Sequence, residues 1–154
     1  MPGFAKEAWN GCFRRVYDAA HLAAHPGQTV KSIAVLMKPI TGRPSNIDRW
    51  WYNKPWIANA KLIITLRGKK SKYYGYNAYC VATAAGLECP MEEDAGDFTL
   101  ALWGAGVKLV VSKDQDLRLA RAGQISDESN VFVRGNTSED RTFLLPPAPA
   151  AACK

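Results

Sequence analysis

Apolar residues alternate with polar or small residues in a series of short segments between positions 28 and 145. Residues 61–67 show this most clearly, because Lys61, Thr65 and Arg67 stand on the side opposite three aliphatic residues. Successive side chains of a strand point to opposite faces, so a period of two predicts strands with one buried face. We expect six to eight strands, whose apolar sides carry Ile33, Val35, Met37, Leu62, Ile64, Leu66, Phe98, Leu100, Leu102, Val107, Leu109, Val111, Leu117, Leu119, Val131, Val133, Phe143 and Leu145.

Turn-forming residues separate these segments. Residues 84–86 would join the strands 78–83 and 87–90 as a hairpin, and residues 104–106 supply the next turn. Short, regularly spaced strands predict a mainly β fold, an antiparallel meander closed as a barrel or folded as a sandwich. We prefer the barrel because closure leaves no exposed sheet edge. The tail at 146–149 holds too much proline for a sheet ladder.

The first 27 residues follow a different pattern. Apolar positions between Phe4 and Ala24 recur at a roughly helical spacing that Gly11 interrupts. The most helical part begins with Asp18 as a cap and ends before residues 25–27, whereas residues 12–17 could instead form an opening strand. We expect one domain over 1–154, with a short helix or strand segment at 1–27, the meander at 28–145 and a Pro/Ala tail at 146–154.

The chain has 154 residues, of which 47% are hydrophobic, and this suffices for a single core. Charged residues or prolines interrupt every apolar run before it reaches eighteen residues, so no transmembrane segment is expected. The first fifteen residues lack the apolar stretch of a signal peptide. We therefore expect either a cytosolic protein or an exported one whose leader is not part of this sequence.

Four cysteines, at positions 12, 80, 89 and 153, favour the second of these alternatives. Four cysteines allow three pairings. We favour Cys12–Cys153 with Cys80–Cys89, because chain ends commonly lie close together and because the inner pair would join two strands that leave one turn. Buried free thiols and a four-cysteine zinc site are the alternatives. Since disulfides persist in oxidising compartments, this pairing predicts a periplasmic or secreted protein.

The net charge of +6 is distributed unevenly along the chain. Residues 1–80 hold 13 Lys and Arg against 3 acidic residues, a balance of +10, whereas residues 81–154 hold 7 against 11, a balance of −4. If the two halves form separate faces, an anionic partner would be steered to one of them. Folding could also interleave the two sets of charges.

Two basic and aromatic runs are the candidate binding elements. The first comprises Arg49, Trp50, Trp51, Tyr52, Lys54 and Trp56, whose rings could stack on sugars and whose cations could attract anions. The alternative is that these rings cover the open end of the barrel. The second run comprises Lys69, Lys70, Lys72 and Tyr73 and would extend a cationic surface, or would be a solvated hairpin tip that blocks edge pairing.

Catalytic and metal motifs are sparse. Asp18, His21 and His25 would share a helix face at spacings of three and four, which can hold a transition metal, but HExxH or another partner set is missing. The sequence also lacks GxSxG, P-loop and GxGxxG motifs. We therefore expect neither a metal nor a cofactor. Paired carboxylates brought together by folding would be needed for a hydrolase.

Residues 12–30, residues 92–98 and residues 140–146 before Cys153 resemble a group of small exported proteobacterial proteins without assigned activity. This resemblance implies export. In general layout the chain is also similar to small periplasmic barrel inhibitors of proteases and of lysozyme. We expect a non-catalytic binding or inhibitor-type protein that engages an anionic glycan, an envelope polymer or a protein rather than nucleic acid. A cell-envelope hydrolase and a metal-binding protein are the alternatives, and the sequence does not fix the oligomeric state.

Overall fold

The structure is a computed structural model that describes residues 8–40, 56–121 and 129–154. In these ranges the chain forms twelve strands, one helix and two 3-10 turns, at Ser138–Asp140 and Ala150–Cys153. The helix, α1, spans Ala19–Ala24. The strands are β1 (Gly11–Val16), β2 (Val30–Pro39), β3 (Trp56–Leu66), β4 (Lys72–Gly75), β5 (Ala78–Thr83), β6 (Gly86–Pro90), β7 (Asp97–Trp103), β8 (Gly106–Val111), β9 (Asp116–Ala120), β10 (Val131–Arg134), β11 (Thr142–Leu145) and β12 (Pro147–Ala148).

All strand pairings are antiparallel within the described ranges, so the expected mainly β fold is confirmed. The long strand β3 organises the sheet: β2 pairs along one edge, while β5 and β4 share the other edge. From β5 the sheet continues through β6, β7 and β8 to β11, and from β4 it continues to β9 and β10. Because β3 divides one edge between two strands, the sheet branches there. Its shape is an open, curled half-barrel.

The core lies on the concave face of the sheet. Most of the apolar positions that the alternation selected are buried there, and Ile33, Leu62 and Leu109 are among those with no exposed surface. Leu102 departs from the expectation because its side chain is 47% exposed. Trp9, which precedes β1, is fully buried in the same cluster. Burying one large aliphatic side chain stabilises the fold by about 2 kcal/mol of transfer free energy. This cluster is therefore the main stabilising element.

Eleven of the twelve described strands follow residue 28, against the six to eight expected. The strands that the alternation did not indicate are β4, with four residues, and β12, with two. β4 does not alternate in polarity because Tyr73 and Tyr74 are adjacent, and β12 begins with a proline. Residues 11–16 form β1, so the strand alternative for this region is confirmed and the helical interpretation is wrong there.

Helix α1 begins and ends where the sequence indicated. The Asp18 carboxylate accepts a hydrogen bond from the His21 backbone N–H at 2.8 Å, which confirms it as the N-cap. At the other end, the Arg67 guanidinium donates to the carbonyl oxygens of Leu22, His25 (3.3 Å) and Gln28 (3.2 Å). These contacts attach the helix to the end of β3. No helix in the described ranges is long and apolar enough to span a membrane.

The proline-rich tail does enter a ladder, contrary to expectation. β12 pairs with β1, where Cys12 lies opposite Ala148 and Phe13 lies opposite Pro147. The Arg14 backbone N–H also donates to the Pro146 carbonyl at 2.9 Å. Proline has no N–H but keeps its carbonyl, so a proline segment can pair at a sheet edge when the partner strand supplies the donors.

Both predicted disulfides are present. Cys12 on β1 is bonded to Cys153 across a sequence separation of 141 residues, with 5.9 Å between their Cα atoms. Cys80 on β5 is bonded to Cys89 on β6, and the register of the two strands places these residues opposite each other. The two bonds are consistent with an oxidising compartment.

Candidate binding face

The strands β1 to β4 contain six basic residues and no Asp or Glu. They are neighbours in the sheet, in the order β1, β2, β3, β4. The charge imbalance of the first half of the sequence is therefore also an imbalance in space. We call the convex surface of these strands the outer basic face, and its defining residues are Arg14, Lys38, Lys61, Lys72 and Tyr74.

Strand register places these residues in rows across the outer face, because residues directly opposite on neighbouring strands share a face. One row runs from Arg14 through Ala34 and Ile63 to Tyr74. The row on one side of it joins Cys12, Leu36 and Lys61, and the row on the other side joins Val16, Ser32, Thr65 and Lys72. Lys38 lies opposite Asn59, one row further along the sheet. The cations thus lie on several adjacent rows.

A second, smaller apolar cluster lies at the centre of this face. Its buried members are Cys12, Ala34, Ile63 and Cys153, and Tyr74 packs against it. The 3-10 turn Ala150–Cys153 carries Cys153 onto the cluster, where the disulfide to β1 holds it. Ile63 therefore lies on the convex face and is nevertheless only 6% exposed. The turn covers the apolar centre and leaves the cations around it.

Two contacts orient cations on the outer basic face. The Lys61 ammonium lies 5.5 Å from the centre of the Tyr74 ring, within the range of a cation–π interaction. The Lys72 ammonium donates to a backbone oxygen of Lys154 at 3.1 Å, which links β4 to the residue after the turn at 150–153. The Tyr74 ring carries no net charge, so its contact leaves the charge of Lys61 unneutralised.

The structure separates the residues that the sequence proposed for binding. Arg49, Trp50, Trp51, Tyr52 and Lys54 lie outside the described residues. Trp56 begins β3, is half-buried and meets the Tyr79 ring edge-on at a centroid distance of 6.0 Å.

The second basic run is divided between the surface and the core. Lys69 and Lys70 are exposed in the turn between β3 and β4, and Lys72 is exposed at the start of β4. Tyr73 is 7% exposed and belongs to the main core, so it does not lie on the surface with these lysines. The alternation of a strand explains this, because Tyr73 and its neighbour Tyr74 point to opposite faces.

Sequence reasoning missed four members of this common surface: Arg14, Lys38, Lys61 and Tyr74. A signal existed, since Lys38 follows the apolar residue Met37 in the alternating pattern of β2 and therefore points outward. The pattern could not show which strands are neighbours, and this decided which outward residues come together.

The three candidate metal ligands on and beside α1 are engaged elsewhere. The Asp18 carboxylate caps the helix, and the His21 Nε2 atom lies 2.9 Å from the Gln28 Oε1 atom. The His21 and His25 rings stack with 4.3 Å between their centroids, and His25 Nδ1 lies 3.6 Å from the Glu139 carboxylate. Within the described ranges, no three His, Cys, Asp or Glu side chains form a group that could hold a metal ion.

Fold and surface together define a small, mainly β protein with two disulfides and a cationic convex face. Comparisons with protein families, with curated proteins and with solved structures find no match to this chain.

Proposed function

We propose that this is a non-catalytic, periplasmic or secreted binding protein that engages an anionic glycan, an envelope polymer or an acidic protein surface through the outer basic face. One observation carries the proposal: four neighbouring strands present Arg14, Lys38, Lys61 and Lys72 outward and contain no carboxylate side chain. An anionic partner would meet several cations and no repelling side chain on these strands.

The strength of this attraction comes from several charges acting together. Two opposite unit charges 4 Å apart in water interact by about 1 kcal/mol, and salt screens exposed charges over about 10 Å. A single exposed lysine therefore contributes little, whereas a polyanion that contacts several cations at once gains from each of them. Such binding should weaken steeply as the salt concentration rises. Lys69 and Lys70 extend the face beyond the start of β4.

The compartment follows from the disulfides. Two bonds that persist would place the protein where thiols are not kept reduced, and the periplasm and the extracellular space meet this condition. The aromatic run containing Trp50 and Trp51 is a second contact candidate because of its sequence alone.

We also infer that the half-barrel closes. β11 pairs with β8, and after Pro146 the same segment continues as β12, which pairs with β1. This continuity would bring the two margins of the curled sheet together. Closure would hold β1 and β2 rigidly and so preorganise the cations of the outer basic face.

Heparin, a sulfated polysaccharide, is a suitable probe of the proposed binding. The variant Lys38→Gln/Lys72→Gln removes two exposed cations from the face, and we expect its affinity for heparin to fall at least tenfold at low salt. The slope of the logarithm of affinity against the logarithm of salt concentration should also become shallower, because fewer counterions are released. Affinity can be measured by isothermal titration calorimetry at several salt concentrations.

Lys113→Gln/Arg134→Gln is the matched control, because it lowers the net charge equally in the turn after β8 and on β10. Equal losses in the two double variants would show that only total charge matters and would overturn the outer basic face as the site. Absence of heparin binding by the unmodified protein at low salt would overturn the proposal itself.

A further inference from the structure

The hairpin formed by β7 and β8 ends in an exposed apolar tip. Leu102 is 47% exposed and Trp103 is 41% exposed, and they are consecutive residues at the end of β7. They lie opposite Val107 and Gly106 on β8, and on its other edge β8 pairs with β11 as far as Val107. In the described ranges, β6 pairs with β7 no further than Leu100. The end of β7 and the turn after it thus extend past β6.

The two large side chains project from opposite faces of β7, because successive side chains of a strand alternate. A flat protein surface that covered Trp103 would leave Leu102 in water, and the reverse also holds. A fluid medium can surround the tip and remove both side chains from water together. The geometry therefore favours a lipid surface over a rigid flat partner.

The chemistry of the tip agrees with this choice. The segment between Asp97 and Lys108 contains no charged residue. Tryptophan prefers the boundary between the headgroups and the acyl chains, where its apolar ring is buried and its N–H stays near water.

The charged residues of β7 and β8 lie further from the tip. Lys108 lies opposite Ala101 and shares the face of Trp103, so its ammonium would lie at the depth of the lipid phosphates. On β6, Glu88 lies opposite Thr99 and therefore further from the tip than Lys108.

We propose that the tip of the β7–β8 hairpin, with Leu102 and Trp103, inserts into the interfacial region of a lipid bilayer. This site is separate from the outer basic face and does not depend on the proposed anion binding. Insertion is shallow, because the part of β7 beyond β6 is only a few residues long and the turn after it keeps backbone groups that need water or headgroup partners. The tip acts as a reversible contact with a membrane surface.

Co-sedimentation with phosphatidylcholine vesicles tests the proposal, since neutral vesicles give little attraction to the outer basic face. We expect the protein to partition onto these vesicles, and Leu102→Ser/Trp103→Ser to lower the partition coefficient at least tenfold. The matched control is Phe132→Ser, which removes an aromatic side chain of similar exposure, 49%, on β10. This control should partition like the unmodified protein.

Quenching by lipids brominated in the acyl chain gives a second readout. These lipids should quench part of the tryptophan fluorescence of the unmodified protein. This quenching should be absent in Trp103→Phe. The proposal is overturned if the protein does not sediment with the vesicles, if Phe132→Ser lowers partitioning as much as the tip variant, or if Trp103→Phe retains the quenching. Heparin binding should be unchanged in the tip variant, which separates this proposal from the function proposed above.

Discussion

The hydroxyl of Thr29 donates a hydrogen bond to the carboxylate of Asp140 with 2.5 Å between the two oxygens, although 111 residues separate them in the chain. The same carboxylate accepts the backbone N–H groups of Thr29, at 3.0 Å, and Val30, at 3.2 Å. Asp140 is 2% exposed. The buried carboxylate of Asp140, in the turn before β11, thus accepts hydrogen bonds from Thr29 and Val30 where β2 begins.

Replacing Asp140 should destabilise the fold. In Asp140→Ala these donors lose their acceptor, and buried donors left unpaired cost about 1 to 3 kcal/mol each. Allowing for partial access to water, we expect the free energy of unfolding to fall by about 3 kcal/mol, measured by urea denaturation. The control Asp114→Ala, in an exposed turn, should change it by less than about 0.5 kcal/mol. Equal stability of the two variants would show that the Asp140 contacts contribute nothing.

The two disulfides should differ in their contribution to stability. In the chain-entropy description, a bond stabilises by restricting the unfolded chain, and the effect grows with the length of the closed loop. For separations of 141 and 9 residues this gives about 5 kcal/mol for Cys12–Cys153 and about 2 to 3 kcal/mol for Cys80–Cys89. Urea denaturation of Cys12→Ser/Cys153→Ser and Cys80→Ser/Cys89→Ser tests the order. The reverse order would show that contacts in the folded state outweigh loop entropy.

Tyr17 should make stability depend on pH in the alkaline range. Burial raises the pKa of its hydroxyl above the ordinary value of 10.0, with Arg15 acting to lower the pKa and Asp140 to raise it. The folded protein therefore keeps this proton when the unfolded chain has lost it. The resulting stability is fully present below about pH 10 and is lost as the pH rises from there through the folded pKa.

Tyr17→Phe isolates this contribution, because the ring is kept and so are its contacts with His21 and Phe143. We expect the variant to lose less stability than the unmodified protein between about pH 9 and about pH 11, in urea denaturation at a series of pH values. Identical alkaline declines in the two proteins would contradict the raised pKa.

Much of the fold was predictable from local chemistry. The alternation at residues 61–67 identified the core positions of β3, and Asp18 marked the start of α1. The disulfide pairing followed from chain ends and from a hairpin. Each of these rests on residues that act within one element or one turn, or on a general property of chain ends, so a single sequence suffices to recognise them.

The outer basic face could not be predicted from local sequence patterns in the same way. Ile63 interrupts the alternation of β3 with an apolar residue on the convex side, and nothing nearby in sequence indicates that residues 150–153 cover it. Tyr73 and Tyr74 are adjacent and have the same side chain, yet Tyr73 belongs to the core and Tyr74 contacts Lys61. Only the register of β3 and β4 assigns each ring to its face.

The sequence by itself determined the mainly β character, the cap of α1, the cysteine partners and the excess of positive charge in the first half of the chain. The tertiary structure decided that β3 shares an edge between β4 and β5, that the basic strands lie side by side, and that Leu102 and Trp103 project from a hairpin tip. The physical reason is that alternation, capping and turn chemistry are local. Strand neighbours instead depend on the sum of many weak contacts between residues far apart in the chain.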